Sequence, residues 1–418
     1  MNELVQAQKE KPRMLDEYKH LSRVSHKFMQ CINCGDCREA TDYSSDPQKW
    51  GVCVVKDHIS GFEPYFGRGK MQIIRSIWQG KLGLSKDLAE TFFQCPTCNS
   101  CSFTCFYNVD NAACYEALRA ELVDAGFSLD SHTQMNNSIL DLLNPYERDN
   151  LRKSDWLNKL NFKVKDASVE KADILYFVGC TAGLTEETEA VAVNTAKVLK
   201  NLGIDFAVLG KAEVCCGSVA LRTGDIKTFE TAMKKNAKLI KNSGASMILS
   251  SCAGCYRTLK VDYANILNDL GIDVQHTIEF IYKKISDKNL KLRNLGFNVT
   301  FHDPCHTGRN SGDKPLYDVP RYILTKITNL NEMKTIKENA KCCGAGGGVK
   351  KAFPQLALEI AKSRVLEAKE TESDYIVSIC PFCERNLSDA IKALNSEIKV
   401  IDIVELLNKV LNEDKMDY

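Results

Sequence analysis

A unit of five cysteines is written twice in this chain, and nothing else constrains its fold as tightly. The first copy is Cys180, the pair Cys215-Cys216 before Gly217, and Cys252-x2-Cys255. The second is Cys305, the pair Cys342-Cys343 before Gly344, and Cys380-x2-Cys383. Corresponding cysteines are offset by 125, 127 and 128 residues, so the spacing hardly drifts. The gaps inside each unit are also even, 34 and 35 residues in the first and 36 and 36 in the second. Matching thiol sets of this kind imply a duplicated metal-binding domain. The chain carries 19 cysteines, an odd number set in tight CxxC and CC groups, which favours metal ligation over disulfides.

Upstream stands a second kind of cysteine motif. Cys95-x2-Cys98-x2-Cys101-x3-Cys105 is a complete ferredoxin-type run, in which three close thiolates hold one [4Fe–4S] cube and the fourth reaches a neighbouring cube. Zinc sites use two separated CxxC pairs instead, so the spacing points to iron and sulfide. Cys31-x2-Cys34-x2-Cys37 is the partner run, but Thr41 stands where its fourth cysteine is expected and threonine cannot replace a thiolate. Cys53 follows twelve residues later, and Tyr43–Val52 reads as part of an insertion that displaced this ligand. The expected assignment is crossed: Cys31, Cys34, Cys37 and Cys105 around one cube, and Cys95, Cys98, Cys101 and Cys53 around the other. The alternative is a cube with a missing or non-cysteine ligand. Cys114, on the helical segment AACYEALRAEL, has no partner at ligand spacing and reads as a small buried hydrophobe.

The remaining organisation follows the hydrophobic pattern. The fold class is α+β / α/β: an N-terminal helical two-cluster ferredoxin-like domain, then two duplicated α/β domains with parallel sheets. The expected spans are a polar lead-in over 1–25, the two-cluster domain over 26–115, a charged helical connector over 116–170, and the two copies over 171–290 and 291–418. Short apolar runs, Asp173–Gly179, Ile204–Leu209 and Ser246–Ser251, read as strands separated by helices, and Phe297–His302 and Tyr375–Ile379 repeat the plan. Four of these runs lead directly into Cys180, Cys252, Cys305 and Cys380, so the thiols fall at the carboxyl ends of strands, where open α/β sheets place their sites.

Composition limits the partners. A net charge of +1 creates no global field for nucleic acid or an anionic membrane. No apolar stretch approaches the roughly 18 residues of a spanning helix, and the opening MNELVQAQKEKPRM does not read as a secretory signal. The expectation is a cytoplasmic protein that meets a membrane, if at all, through a partner subunit. Lys234, Lys235, Lys238 and Lys241 form a basic helix stripe, read as a solvated face.

The cysteine arrangement, with HDPCHTGRNSG at 302–312, CCGAGGGVKK at 342–351 and CPFC at 380–383, resembles the catalytic iron–sulfur subunit of heterodisulfide reductase. That subunit joins a two-cluster ferredoxin domain to two cysteine-rich CCG domains. The resemblance covers about residues 28 to 400 and is specific for the superfamily more than for the substrate. It implies that each complete set of five thiols holds a noncubane [4Fe–4S] cluster: Cys180, Cys215, Cys216, Cys252 and Cys255 for one, and Cys305, Cys342, Cys343, Cys380 and Cys383 for the other. With two cubanes, that makes four clusters and no nucleotide or flavin on this chain. The function so implied is electron delivery through the cubanes to clusters that reduce a small disulfide, with electrons drawn from a flavoprotein or a membrane cytochrome. The same architecture serves as the electron-transfer subunit of flavin-linked glycolate, lactate and glycerol-3-phosphate dehydrogenases, and of a thiol:fumarate reductase. That reading stays open as the alternative.

Two further features border the second set. Gly344, Gly346 and Gly347 lie in a run that does not fit G-x-G-x-x-G. They are expected to let backbone N–H groups approach cluster sulfur and to leave room for substrate. His302 and His306 flank Cys305 and are candidate proton donors, since disulfide reduction consumes protons. Together with Asp303, the alternative is that they only cap the loop.

Overall fold

The computed structural model describes residues 18–38, 52–59, 61–312 and 314–413. Most of the polar lead-in, Thr41 and nearly all of the insertion expected over 43–52 lie outside these residues.

Two parallel sheets carry the duplicated part, as the alternating pattern predicts. The first contains β1 (Lys165–Asp166), β2 (Ile174–Tyr176), β3 (Ala207–Val208), β4 (Met247–Ser250) and β5 (Asp273–His276), in the order β1-β3-β2-β4-β5. The second contains β6 (Asn298–Phe301), β7 (Asn329–Leu330), β8 (Tyr375–Ser378) and β9 (Lys399–Asp402), in the order β7-β6-β8-β9. Without the edge strand β1 the two orders are the same. The duplication extends to atomic detail. Ser250 pairs with His276 in one sheet and Ser378 with Asp402 in the other. Each of these last strand residues then caps the following helix: His276 Nδ1 accepts from Ile278 N–H at 3.3 Å, and Asp402 Oδ1 accepts from Val404 N–H at 2.8 Å.

The helices stop where sequence chemistry says they should. Glu189–Asn201 runs out into Gly203, at φ +70°, and Ile226–Ser243 is opened by the Asp225 side chain and closed by Gly244, at φ +75°. The two units do not bury separate cores. Tyr176, Leu249, Phe301, Val377 and Leu407 belong to one apolar cluster drawn from both sheets. The C-terminal helix Ile403–Glu413 of the second unit packs on Glu189–Asn201 of the first, and Asn408 donates to Asn194 there at 2.8 Å. The cysteine edges of the two sheets are thereby held facing one space.

The segment 116–170 is more than a connector. After helices Asn111–Asp124 and Asp130–Asp141, the 3-10 stretch Asn150–Lys159 buries Trp156 in the shared core, and β1 completes the first sheet. Among the described residues, no helix is long and apolar enough to cross a membrane.

Candidate metal centres

The ferredoxin-like region is helical, and its two cysteine runs follow helix ends. Lys19–Met29 leads into Cys31, and Lys86–Phe93 leads into Cys95. Each run bends at the same two places. Asn33 and Thr97, two residues after the first cysteine, have φ of +61° and +50°, and Gly35 and Asn99, one residue after the second, have +101° and +66°. These left-handed turns point successive thiols inward. Cys31, Cys34, Cys37 and Cys105 line one small cavity, and Cys53, Cys95, Cys98 and Cys101 line another. Gly67 is required beside the first, where a Cβ would sit 2.7 Å from Cys37 Sγ.

Four thiols around each cavity suit a [4Fe–4S] cube. Burial pushes the Cys37 and Cys53 thiols up to about 12, so bare thiolates are disfavoured there and a cationic cluster core would offset that cost. Cys114 sits apart, fully buried in the apolar cluster of Leu21, Phe28 and Met71. Sequence reasoning missed Lys70, buried beside the second cavity. Its Nζ donates to the carbonyls of Pro64 and Thr91 at 2.9 and 3.2 Å, and burial pulls its pKa down to about 8.

In the duplicated part, β2 and β4 deliver Cys180 and Cys252, and β6 and β8 deliver Cys305 and Cys380. The glycine after each cysteine pair has a defined task. Gly217 and Gly344, at φ +79° and +86°, turn their N–H groups back onto Cys215 Sγ and Cys342 Sγ at 3.5 and 3.4 Å. Each CxxC opens a helix, Ala253–Arg257 or Pro381–Ala393. Within the first set Cys180, Cys215, Cys216, Cys255 and Cys252 are neighbours in that order, each close enough to perturb the ionisation of the next thiol. The second set repeats this from Cys305 through Cys342, Cys343 and Cys383 to Cys380. Cys252 and Cys380 perturb each other's ionisation across the two sets, and Cys98 of the ferredoxin-like region is similarly coupled to Cys342.

All ten thiols line one cavity of about 380 Å³. Its charged lining is mostly neutralised. Arg222 pairs with Glu116 and Asp262 at 2.7 and 2.6 Å, Lys350 with Asp389 at 2.6 Å, and Lys351 with Glu147 at 2.8 Å. Arg385 lies over the Tyr146 ring, 5.3 Å from its centre. The two histidines separate. His306 lines the cavity with Nδ1 3.3 Å from Cys305 Sγ, whereas His302 is buried behind the second set and does not line it. Asp303 anchors their loop, accepting both Arg321 Nη groups at 2.7 and 2.8 Å and Lys337 N–H at 2.8 Å.

Gly344 N–H reaches a sulfur ligand, and Gly346 and Gly347 line the shared cavity while also packing closely on another region. A Cβ on either would lie 2.7 Å from the carbonyl oxygen of Pro96 or Cys95. A second residue outside the motifs touches the first set: Lys153, fully buried, donates to Cys180 Sγ at 3.4 Å and pairs with Glu213 Oε1 at 2.9 Å. Glu213 in turn accepts the N–H groups of Val178 and Gly179, both at 2.9 Å. Lys234, Lys235, Lys238 and Lys241 are exposed, the solvated face expected of them.

Parallel sheets presenting two complete cysteine sets to one chamber, beside a ferredoxin-like region, define an iron–sulfur component of an oxidoreductase. The family model of the CCG cysteine-rich domain matches residues 174–260 and 299–388. The chain is 36% identical over 394 residues to the D subunit of dihydromethanophenazine:CoB–CoM heterodisulfide reductase from Methanosarcina mazei, covering 91% of this chain and 93% of that protein. Its identity to the corresponding protein of Methanosarcina acetivorans is also 36%, over 395 residues and the same shares of both chains. It is 29% identical over 392 residues to the B subunit of fumarate reductase (CoM/CoB) from Methanothermobacter marburgensis, 93% of this chain and 73% of that one. The chain belongs to the family of heterodisulfide reductase D subunits. These relatives are subunits of redox enzymes.

Proposed function

We propose that this chain is the disulfide-reducing subunit of its complex. Cys31, Cys34, Cys37 and Cys105 would hold one cubane, Cys53, Cys95, Cys98 and Cys101 the other, and each five-thiol set a noncubane cluster. When bound, such clusters supply one-electron steps, and at the five-thiol sets an iron able to accept an external sulfur. The overall reaction balances as one disulfide plus two electrons and two protons giving two thiols. The electrons come from a partner flavoprotein or membrane cytochrome, and the chain itself works in the cytoplasm.

The protein's own part is to bind and orient the disulfide and to supply protons. The observation that supports this reading is that both thiol sets open into one 380 Å³ cavity, so clusters held there would face each other across one space and a small molecule reaching one would lie beside the other. The coupling of Cys98 to Cys342 supports electron passage from the second cubane site to the second set, and that of Cys252 to Cys380 supports passage on to the first. His306, at the cavity wall, is the side chain positioned to hold a proton beside Cys305.

The test is to mix the oxidised protein with candidate thiols and record electron paramagnetic resonance spectra. A new signal broadened by sulfur-33 in the thiol supports the reading. If no thiol perturbs the spectra while a flavoprotein partner reduces every cluster, the chain is a conductor in a flavin-linked dehydrogenase.

A further inference from the structure

His302 has a counterpart in the first unit that isolates its role. It stands three residues before Cys305, and Phe177 stands three residues before Cys180. Both follow corresponding inner strands, β2 and β6, and both are buried, Phe177 at 0% and His302 at 1% exposure. The fold therefore accepts an apolar ring here, and a buried imidazole needs polar partners to offset its desolvation.

One partner is in place. Arg364 donates from Nε to His302 Nδ1 at 3.3 Å. Arg364 is itself fully buried, held by the Thr335 carbonyl and the Glu367 carboxylate, each at 2.9 Å from Nη1. A guanidinium has donors and no acceptor, so Nδ1 must offer its lone pair and the ring proton sits on Nε2. Nε2 has no hydrogen-bond partner in the protein. A ring nitrogen of His302 and the Sγ atoms of Cys343 and Cys383 lie within 4.8 Å of one another. The unpartnered ring nitrogen and the second thiol set thus share one small buried volume.

We infer that His302 donates an Nε2–H···S hydrogen bond to the cluster site of the second thiol set, in a tautomer imposed by Arg364, and does not ligate iron. Ligation through Nε2 would need the proton moved to Nδ1, where it would meet the Arg364 N–H. The inference rests on the reading that this set holds an iron–sulfur cluster. Hydrogen bonds to cluster sulfur set its reduction potential, because a donor stabilises the more negative reduced form. His302 acts through the sulfur ligands and never meets the disulfide.

Pulsed electron paramagnetic resonance on protein with nitrogen-15 histidine tests this without measuring turnover. A weak histidine nitrogen coupling and a proton coupling that disappears in D2O are expected from the second-set signal. Both should be absent in His302→Phe, which copies Phe177. At a fixed applied potential the variant should show a reduced-to-oxidised ratio about tenfold lower at that cluster, equivalent to about 59 mV for one electron. His302→Gln, which keeps an N–H donor, should recover part of that ratio. A strong coupling typical of iron-bound nitrogen overturns the inference, as does a His302→Phe protein with unchanged couplings and ratio. If that variant loads no iron, the couplings of the native protein decide alone. Native protein without any signal from the second set overturns the cluster reading, and this inference with it.

Discussion

The guanidinium of Arg119 donates to the carbonyl of Gly347 at 3.1 Å, and it does not stop there. The same buried group donates to the carbonyls of Arg222, Phe92 and Cys95 at 2.7, 2.6 and 2.5 Å. One cation thus gathers backbone from the ferredoxin-like region, the first unit and the second unit. Arg309 repeats the device nearby, joining Cys98 O at 3.0 Å to the carbonyls of Glu338 and Ala340 at 2.8 and 2.7 Å. Arg119→Met leaves four buried carbonyls without this donor, at about 1–3 kcal/mol each where water cannot replace it. We expect a clear loss of thermal stability, and slower reduction of the second thiol set by an artificial donor that reduces the cubanes. Arg119→Lys should not restore either, since one ammonium cannot span the same four acceptors. Native unfolding and reduction rates in Arg119→Met would show that the clamp is idle.

Iron content checks the number of clusters. Four [4Fe–4S] clusters correspond to about sixteen iron atoms per chain. Anaerobically purified protein should approach that figure with little zinc. Stoichiometric zinc with little iron would end the cluster assignment.

Cys53 and Cys114 are both cysteines outside a complete motif, and the structure gives them opposite surroundings. Cys53 shares a cavity with Cys95, Cys98 and Cys101, whereas Cys114 lies among apolar side chains. Cys53→Ser should lose or convert one cubane, removing up to four irons, while the signals of the five-thiol sets persist. Cys114→Ser should leave every cluster signal unchanged. Equal behaviour of the two variants in iron analysis and paramagnetic resonance would defeat the displaced-ligand assignment.

Much of this site was legible because its residues are cysteines at fixed spacing and because strands end at them. Ile174–Tyr176 running into Cys180, and Tyr375–Ser378 into Cys380, needed only local pattern. What stayed hidden depends on contacts between distant segments. A two-residue edge strand such as Lys165–Asp166 has no periodicity to read, so the segment before it looked like a linker. Lys153 carries no motif, and its burial against Cys180 is visible only once the 3-10 stretch folds onto the first unit. The glycine run was legible as a place of close approach, but its neighbour is Cys95–Pro96 from another region, which no local pattern reports.

The docking of that glycine run should respond to acid. His132 Nε2 lies 3.0 Å from the Gly348 carbonyl, and its ring packs edge-on against Phe93. Burial, reinforced by the Arg119 charge, pushes its pKa down from 6.5 to about 4. Above pH 6.5 the ring is neutral in both folded and unfolded chains and has no pH effect. As pH falls from 6.5 towards 4 the unfolded chain takes up a proton that the folded one refuses, so stability drops, by up to about 3 kcal/mol. His276 is pushed down to about 4 as well, so the native slope contains both residues. Anaerobic thermal unfolding between pH 7.5 and 5.5 should therefore show a shallower loss in His132→Gln than in native protein. Equal slopes would remove His132 from the account.

Which five-thiol set meets the disulfide is decided by mutating each in turn. The second set is the one coupled to the ferredoxin-like region, through Cys98 and Cys342, and it has a histidine, His306, beside its first thiol on the cavity wall. The position after Cys180 in the first set is Thr181, whose hydroxyl is hydrogen-bonded to Tyr146 at 2.8 Å. We therefore expect Cys343→Ser or Cys383→Ser to abolish the thiol-dependent, sulfur-33-broadened signal, and Cys216→Ser or Cys255→Ser to spare it. The converse result would move the chemistry to the first set, where Lys153 is the charged group at the ligand sulfur. Loss of the signal in all four variants would mean that the disulfide bridges both sets across the shared cavity, with one sulfur directed to each.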